Sequence, residues 1–337
     1  MPYKHLSGDE IQSFSFLSET HVVLAILWHE EDDEGMIDSI EPTLLVLDFM
    51  EEIEGPRPQN VLELDTGVHF RYPLLDEQIT LVDFEIRADP APAWRPGYSA
   101  NVPFHLARNQ RLYVVSLWVH VNASVRCLVL FVPSKTLLNE VKKVAEDKKL
   151  GRQVLLWRDW GPTGTRMMLS HHPHSHIWVC YVYGMRYIAL EAERNTGQKV
   201  WARVYDFNDA PLRRGLSEED KANMKSGTGF MSKERSTETV WETGTSRVYG
   251  AKWIFREKVE TSLPFRWRSV ELPDTSEPSV SAMVTEDNII LVEVSRCVLG
   301  CHAEVDQLRE GTEHYAQVQG SELLNSEIKG SCSRFTA

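Results

Sequence analysis

Residues 157–207 read WRDWGPTGTRMML, a histidine-rich loop, HIWVCYVYGMRYIAL, a polar turn and KVWARVYDF. The apolar stretches are short, rich in aromatic and β-branched side chains, and end at Gly, Pro or a polar cluster. Chains written this way fold as strands joined by turns. Four tryptophans (Trp157, Trp160, Trp178, Trp201) fall in this window, and the segment 154–160 reads as one more strand, turned by Gly161 and Pro162. The same grammar recurs before it, in 21–29, 43–49, 60–75, 79–89, 111–121 and 125–133. It recurs after it in 238–242, 247–259, 265–273, 280–287 and 288–295.

Two segments depart from this pattern. Residues 134–150 place Leu137, Leu138, Val141, Val144 and Ala145 on one face at helical spacing, with Gly151 available to end the helix. Residues 217–224 open with Ser217 and Asp220 in capping-box spacing. The predicted class is therefore all-β with two short surface helices. Strands ending VLDF (46–49), LFVP (130–133), VYDF (204–207) and VELP (270–273) recur at spacings near two blades of a propeller. A β-propeller-like domain over 21–300 is expected, with paired β-sandwiches as the alternative. Residues 1–20 and 301–337 hold few large apolar side chains and read as disordered ends.

Charge narrows the partners. The net charge is −13, yet the stretch 30–54 holds eleven acids and no Lys or Arg, so the remainder is near neutral. Without a basic stripe, nucleic-acid binding is not expected. Glu30, Glu31, Asp32, Asp33 and Glu34 lack the alternating ligands and central glycine of a calcium loop, and read as a solvated loop. Five widely spaced cysteines are not a secreted disulfide framework, and Cys127 and Cys180 read as buried thiols. No apolar signal region opens the chain and no apolar run is long enough for a membrane span, which points to the cytoplasm or nucleus.

Two histidine or cysteine groupings invite a metal reading. His171, His172, His174 and His176 crowd one loop, but Pro173 and their adjacency oppose a shared tetrahedral face. Cys297, Cys301 and His302 lack a second pair at zinc-finger distance. No metal and no cofactor is expected. Nucleophile-elbow, Walker and dinucleotide motifs are absent from the sequence. Asp48, Asp65, Asp83 and Asp206 end or interrupt strands, where acids form turns, or where they serve as channel carboxylates of a propeller hydrolase.

Trp157, Trp160, Gly161, Pro162, Thr165 and Arg166, then Tyr183, Gly184 and Arg186, then Asp206, Phe207 and Asn208 form a spaced set. This set, with the upstream VPFHLARNQRLYVVSLWV and LFVPSKTLLNEV segments, resembles the C-terminal region of F-box proteins of mushroom-forming basidiomycete fungi. The resemblance covers about residues 15–295. It implies a substrate-recognition module of a ubiquitin ligase that binds a protein, not an enzyme. An F-box is not visible in this chain, so contact with the ligase adaptor subunit is expected only where one lies upstream. The hydrolase remains the alternative. Trp94 and Tyr98 in the Pro-rich loop 89–103, with Trp157, Trp160, Arg166 and Arg186, are the candidate partner-binding residues. For Trp157, Trp160 and the two arginines, which are placed to pair with Asp159 or Asp206, scaffolding is the competing role.

Overall fold

The computed structural model describes residues 6–7, 11–31, 37–50, 59–60, 66–92, 110–122, 124–147, 152–170, 181–192, 200–222, 224–225, 236–248, 254–272, 280–285, 288–293 and 332–336. In chain order its elements begin with β1 (Leu6–Ser7), β2 (Ile11–Phe16), β3 (His21–Glu31), β4 (Ile37–Asp48), β5 (Gln59–Asn60), β6 (Val68–Arg71), β7 (Thr80–Arg87), β8 (Leu112–Val121) and β9 (Ser124–Pro133). They continue with α1 (Ser134–Glu146), β10 (Gln153–Leu155), α2 (Trp157–Gly164), β11 (Arg166–Ser170), β12 (Val182–Tyr183), β13 (Arg186–Ala192), β14 (Val200–Asp206), α3 (Ala210–Arg214) and α4 (Glu218–Ala222). The last are β15 (Met224–Lys225), β16 (Val240–Glu242), β17 (Ser246–Arg247), β18 (Glu260–Thr261), β19 (Phe265–Glu271), β20 (Val280–Val284), β21 (Asn288–Glu293) and β22 (Cys332–Thr336). The described residues are mostly β, in several sheets, and no closed barrel forms among them. No described helix is long and apolar enough to cross a membrane.

Three larger sheets organise the molecule. The first has the order β10-β6-β4-β3-β2, the second β11-β9-β8-β7, and the third β12-β13-β14-β19-β16-β15. The second sheet lies between the other two. Along β8, Tyr113, Val115, Leu117 and Val119 join one core with Val23, Ala25, Leu44, Val46 and Phe70 of the first sheet. The intervening Leu112, Val114 and Trp118 join another with Tyr187, Tyr205 and Trp267 of the third. A strand buried on both faces is near-continuous in apolar residues, which explains why 112–119 is broken only by the small, buried Ser116. β19, by contrast, alternates buried and half-buried residues, since only one of its faces meets a core.

Local chemistry sets the connections. β8 and β9 form a hairpin whose turn residue Asn122 takes φ +46°, a left-handed conformation that Asn tolerates better than most residues. After β9 the amphipathic α1 leads to β10, which returns to the first sheet parallel to β6. β11 then closes the edge of the second sheet against β9.

Three parts depart from the sequence expectations. The Trp157–Trp160 segment is not a strand end but the start of α2. Trp-x-x-Trp puts both rings on one helix face, and Asp159 Oδ2 accepts the Leu156 N–H at 3.2 Å to cap the first turn. Gly161 and Pro162, strong turn signals, here sit inside that short helix. Residues 11–16, expected to be disordered, form the outer strand β2. Its half-buried positions are Ile11, Ser13 and Ser15, so the apolar alternation of a strand is hidden. Ser13 Oγ bridges to the second sheet instead, accepting the Ile86 N–H at 2.7 Å. Near the C-terminus, expected as a disordered tail, Cys332–Thr336 pairs antiparallel with β21. The expected 217–224 helix is α4, and α2 and α3 add to the two helices read from the sequence.

Candidate functional site

Strand alternation places a polar row on one face of the third sheet. β13, β14 and β19 pair antiparallel, with Arg186 opposite Asp206 and Asp206 opposite Arg266. One step along the same face, Ile188 lies opposite Val204 and Val204 opposite Arg268. Arg186 owes its place to a two-residue hairpin. Val182 and Tyr183 pair with Tyr187 and Arg186, and Gly184 turns the chain at φ +58°.

Arg186, Val204, Asp206, Thr239, Arg266 and Arg268 line a cleft of about 230 Å³, which Trp267 also borders although its ring belongs to the core. Three guanidinium groups and one carboxylate line it, within a chain of net charge −13. Arg266 donates from Nε and Nη2 to Asp206 Oδ2 at 3.0 and 2.7 Å. Its guanidinium also lies 5.4 Å from the centre of the Trp241 ring. Asp206 Oδ1 accepts the Asn208 N–H, an Asx turn that ends the strand. Trp241 is anchored in turn, its Nε1 donating to Asp220 Oδ1 at 2.8 Å. Hydrogen bonds from the Ser217 hydroxyl and the Trp241 indole hold the Asp220 carboxyl below its usual range.

The opposite face of the same strands is core, and it fixes the cleft from behind. Phe131 of β9 stacks on Phe207 with ring centres 4.6 Å apart and meets Tyr187 edge-on at 4.9 Å. Trp267 Nε1 donates to Glu242 Oε1 at 2.9 Å. The Arg203 guanidinium lies 4.6 Å from the Trp267 ring centre, and its Nε donates to Ser269 Oγ.

Of the four candidate partner-binding residues that are described, Arg186 falls in this cleft. Trp157, Trp160 and Arg166 are corrected to core positions. Trp157 and Trp160 meet edge-on at 5.2 Å, and Trp160 Nε1 donates to Arg71 O at 3.1 Å. A Cβ on Gly161 would stand 2.4 Å from the Trp157 ring, so glycine is needed for that close approach. Arg166 is fully buried. Its Nε donates to Leu263 O at 2.7 Å, and its terminal nitrogens to Ser246 Oγ at 2.7 Å and Gly244 O at 3.1 Å. Burial pulls its pKa down to about 10, against the opposing pull of Glu242. A side chain so enclosed ties Gly244, Ser246 and Leu263 to β11. Trp94 and Tyr98 lie outside the described residues.

The remaining candidates are accounted for as follows. Asp48 Oδ1 accepts the Met50 N–H and Asp83 Oδ1 the Phe84 N–H, and neither lines the cleft beside Asp206. Asp65 lies outside the described residues. So do His171, His172, His174, His176, Cys180, Cys297, Cys301 and His302, and the side chains of residues 30–34. Among the described residues no three His, Cys, Asp or Glu side chains gather as metal ligands. Cys127 is buried, and burial pushes its thiol up to about 12.

Sequence reasoning missed Arg266 and Arg268. Their signal is the run FRWRSVE, in which arginines two apart on a strand share one face and the tryptophan between them takes the other. Protein-family models, curated proteins and solved structures all yield no match to this chain.

Proposed function

We propose that this chain is a protein-recognition module, and that the arginine-lined cleft on the third sheet is its point of contact. The observation that carries this reading is the cleft itself. Three arginines are gathered on a sheet whose back is locked into the core, in a chain of net charge −13 whose excess acid is concentrated in residues 30–54. Such a rigid, locally cationic spot is suited to selecting an acidic partner by charge and register. In the fuller form of the proposal, the stacked sheets belong to a β-propeller-like domain in the cytoplasm or nucleus. The chain would then serve as a substrate receptor of a ubiquitin ligase, as its resemblance to basidiomycete F-box proteins implies.

Affinity capture tests the two parts separately. The tagged chain, alone and extended by any upstream reading frame, is used as bait after crosslinking. Recovery of a ligase adaptor subunit with the extended form supports the receptor role, and its absence from both forms removes it. A captured protein that is lost with Arg268→Glu supports the cleft as the contact. The same protein retained by that variant places the contact elsewhere.

A further inference from the structure

We infer that Ser217 is a phosphorylation site for a serine kinase that selects acidic sequence, and that its phosphate loosens the wall behind Arg266. The site stands by itself. Its effect on binding rests on reading the cleft as the recognition point.

The sequence supplies the selecting pattern. Glu218, Glu219 and Asp220 follow Ser217, so acids fill the next three positions. A kinase with a basic substrate groove reads such a run by charge. The fold presents it. Ser217, Glu218, Lys221 and Ala222 are all exposed, and α4 is only five residues long. A helix so short and so little buried opens locally at small cost. The segment can therefore lie extended in an enzyme's groove while the cores stay closed. The reaction is phosphoryl transfer from a nucleoside triphosphate. A bond forms between Ser217 Oγ and the terminal phosphorus as the bond from that phosphorus to the diphosphate breaks. The diphosphate leaves, and the hydroxyl proton passes to the kinase's base.

The consequence follows from what Ser217 holds. Its hydroxyl donates to Asp220 Oδ2 at 2.8 Å, and Asp220 Oδ1 accepts the Trp241 indole at 2.8 Å. The Trp241 ring in turn lies 5.4 Å from the Arg266 guanidinium. Phosphorylation removes the donor and adds about −1.5 to −2 charge with three acceptor oxygens. Like charges then stand where a hydrogen bond stood. Arg214, exposed three residues earlier in the chain, gives the phosphate a cation to turn to. Asp220 is driven from its place, Trp241 loses its acceptor, and Arg266 loses a fixed backing.

The test treats the full chain with an acidophilic serine kinase and magnesium ATP. Mass spectrometry locates the phosphate, NMR follows the Trp241 indole proton, and the tagged chain is used for capture. One phosphate on Ser217 is expected, and the double variant Glu218→Ala, Glu219→Ala should slow its incorporation about tenfold. Indole exchange should rise about tenfold, the size of one lost hydrogen bond. Capture of the partner should fall by a similar factor, and a phosphatase should restore both. Phosphate absent from Ser217, or added there at the same rate in the double variant, overturns the site. A phosphorylated chain with unchanged indole exchange overturns the link to the wall. If exchange rises but the partner is kept, Arg268→Glu separates the failures. Loss of the partner with that variant sinks the regulation and leaves the recognition reading standing. Its retention sinks the recognition reading, while the phosphorylation site and its effect on Trp241 stand.

Discussion

At the residue scale, buried charge explains most of what the interior does. Arg166 is a cation held by carbonyl and hydroxyl oxygens from residues 244–263. Replacing it strands those acceptors in a dry environment. Arg166→Met is expected to lower stability by about 3 kcal/mol or more in urea unfolding, and Arg166→Lys to recover little, since one ammonium cannot span the fan of acceptors. His69 behaves in the opposite sense. It is buried edge-on to Trp28, and among the described residues its Nε2 has no hydrogen-bond partner. Burial, aided by Arg152 and Arg71, lowers its pKa from 6.5 to about 4. The folded state thus favours the neutral ring, and below pH 6.5 the unfolded chain binds the extra proton. The stability tied to this histidine is complete above pH 6.5 and drains away as the pH falls towards 4. The loss is on the order of 3 kcal/mol. Paired urea titrations of the natural chain and His69→Leu at pH 7 and pH 4.5 should show the variant losing less stability on acidification. Equal losses would remove His69 from the acid response.

At the element scale, caps and turns decide where the cleft residues stand. Ser217 Oγ accepts the Asp220 N–H at 3.1 Å and donates to Asp220 Oδ2 at 2.8 Å, and Asp220 in turn accepts the Trp241 indole. The short α4 thereby supports the wall behind Arg266. Ser217→Ala is expected to cost about 1 kcal/mol, and to increase exchange of the Trp241 indole proton measured by NMR. An unchanged indole proton would mean that the helix cap and the cleft wall are independent. The Trp-x-x-Trp segment shows why short apolar runs mislead. Residues 154–160 are too brief for periodicity to separate strand from helix. The helix forms because both indoles find the same pocket beside Tyr72 and Phe70.

At the scale of the whole molecule, the second sheet is the shared wall. One of its faces completes the core with the first sheet and the other the core with the third. Loss of packing on either face should therefore be felt by both neighbours. Phe131, fully buried against Tyr187 and Phe207, is the place to test this. Phe131→Ala is expected to destabilise by about 3–5 kcal/mol, with near- and far-UV circular dichroism still melting together. Two separated transitions would mean that the first sheet is stable without the third.

Much of this architecture is local in origin and could be read directly. Strand positions follow from a period of two. The apolar run 111–121 read as a strand, and the helical spacing within 134–150 read as α1. The common side of Arg266 and Arg268 was equally legible in FRWRSVE. What could not be read is which strands lie side by side. β14 ends at Asp206 and pairs with β19, which begins at Phe265, so the cleft joins residues some sixty positions apart. Arg166 looks like a surface cation until Gly244, Ser246 and Leu263, distant in sequence, enclose it. Side-chain alternation is imposed by each strand's own backbone, whereas strand order is chosen by the total apolar area that competing arrangements can bury, a quantity that exists only once the whole chain has closed around its cores.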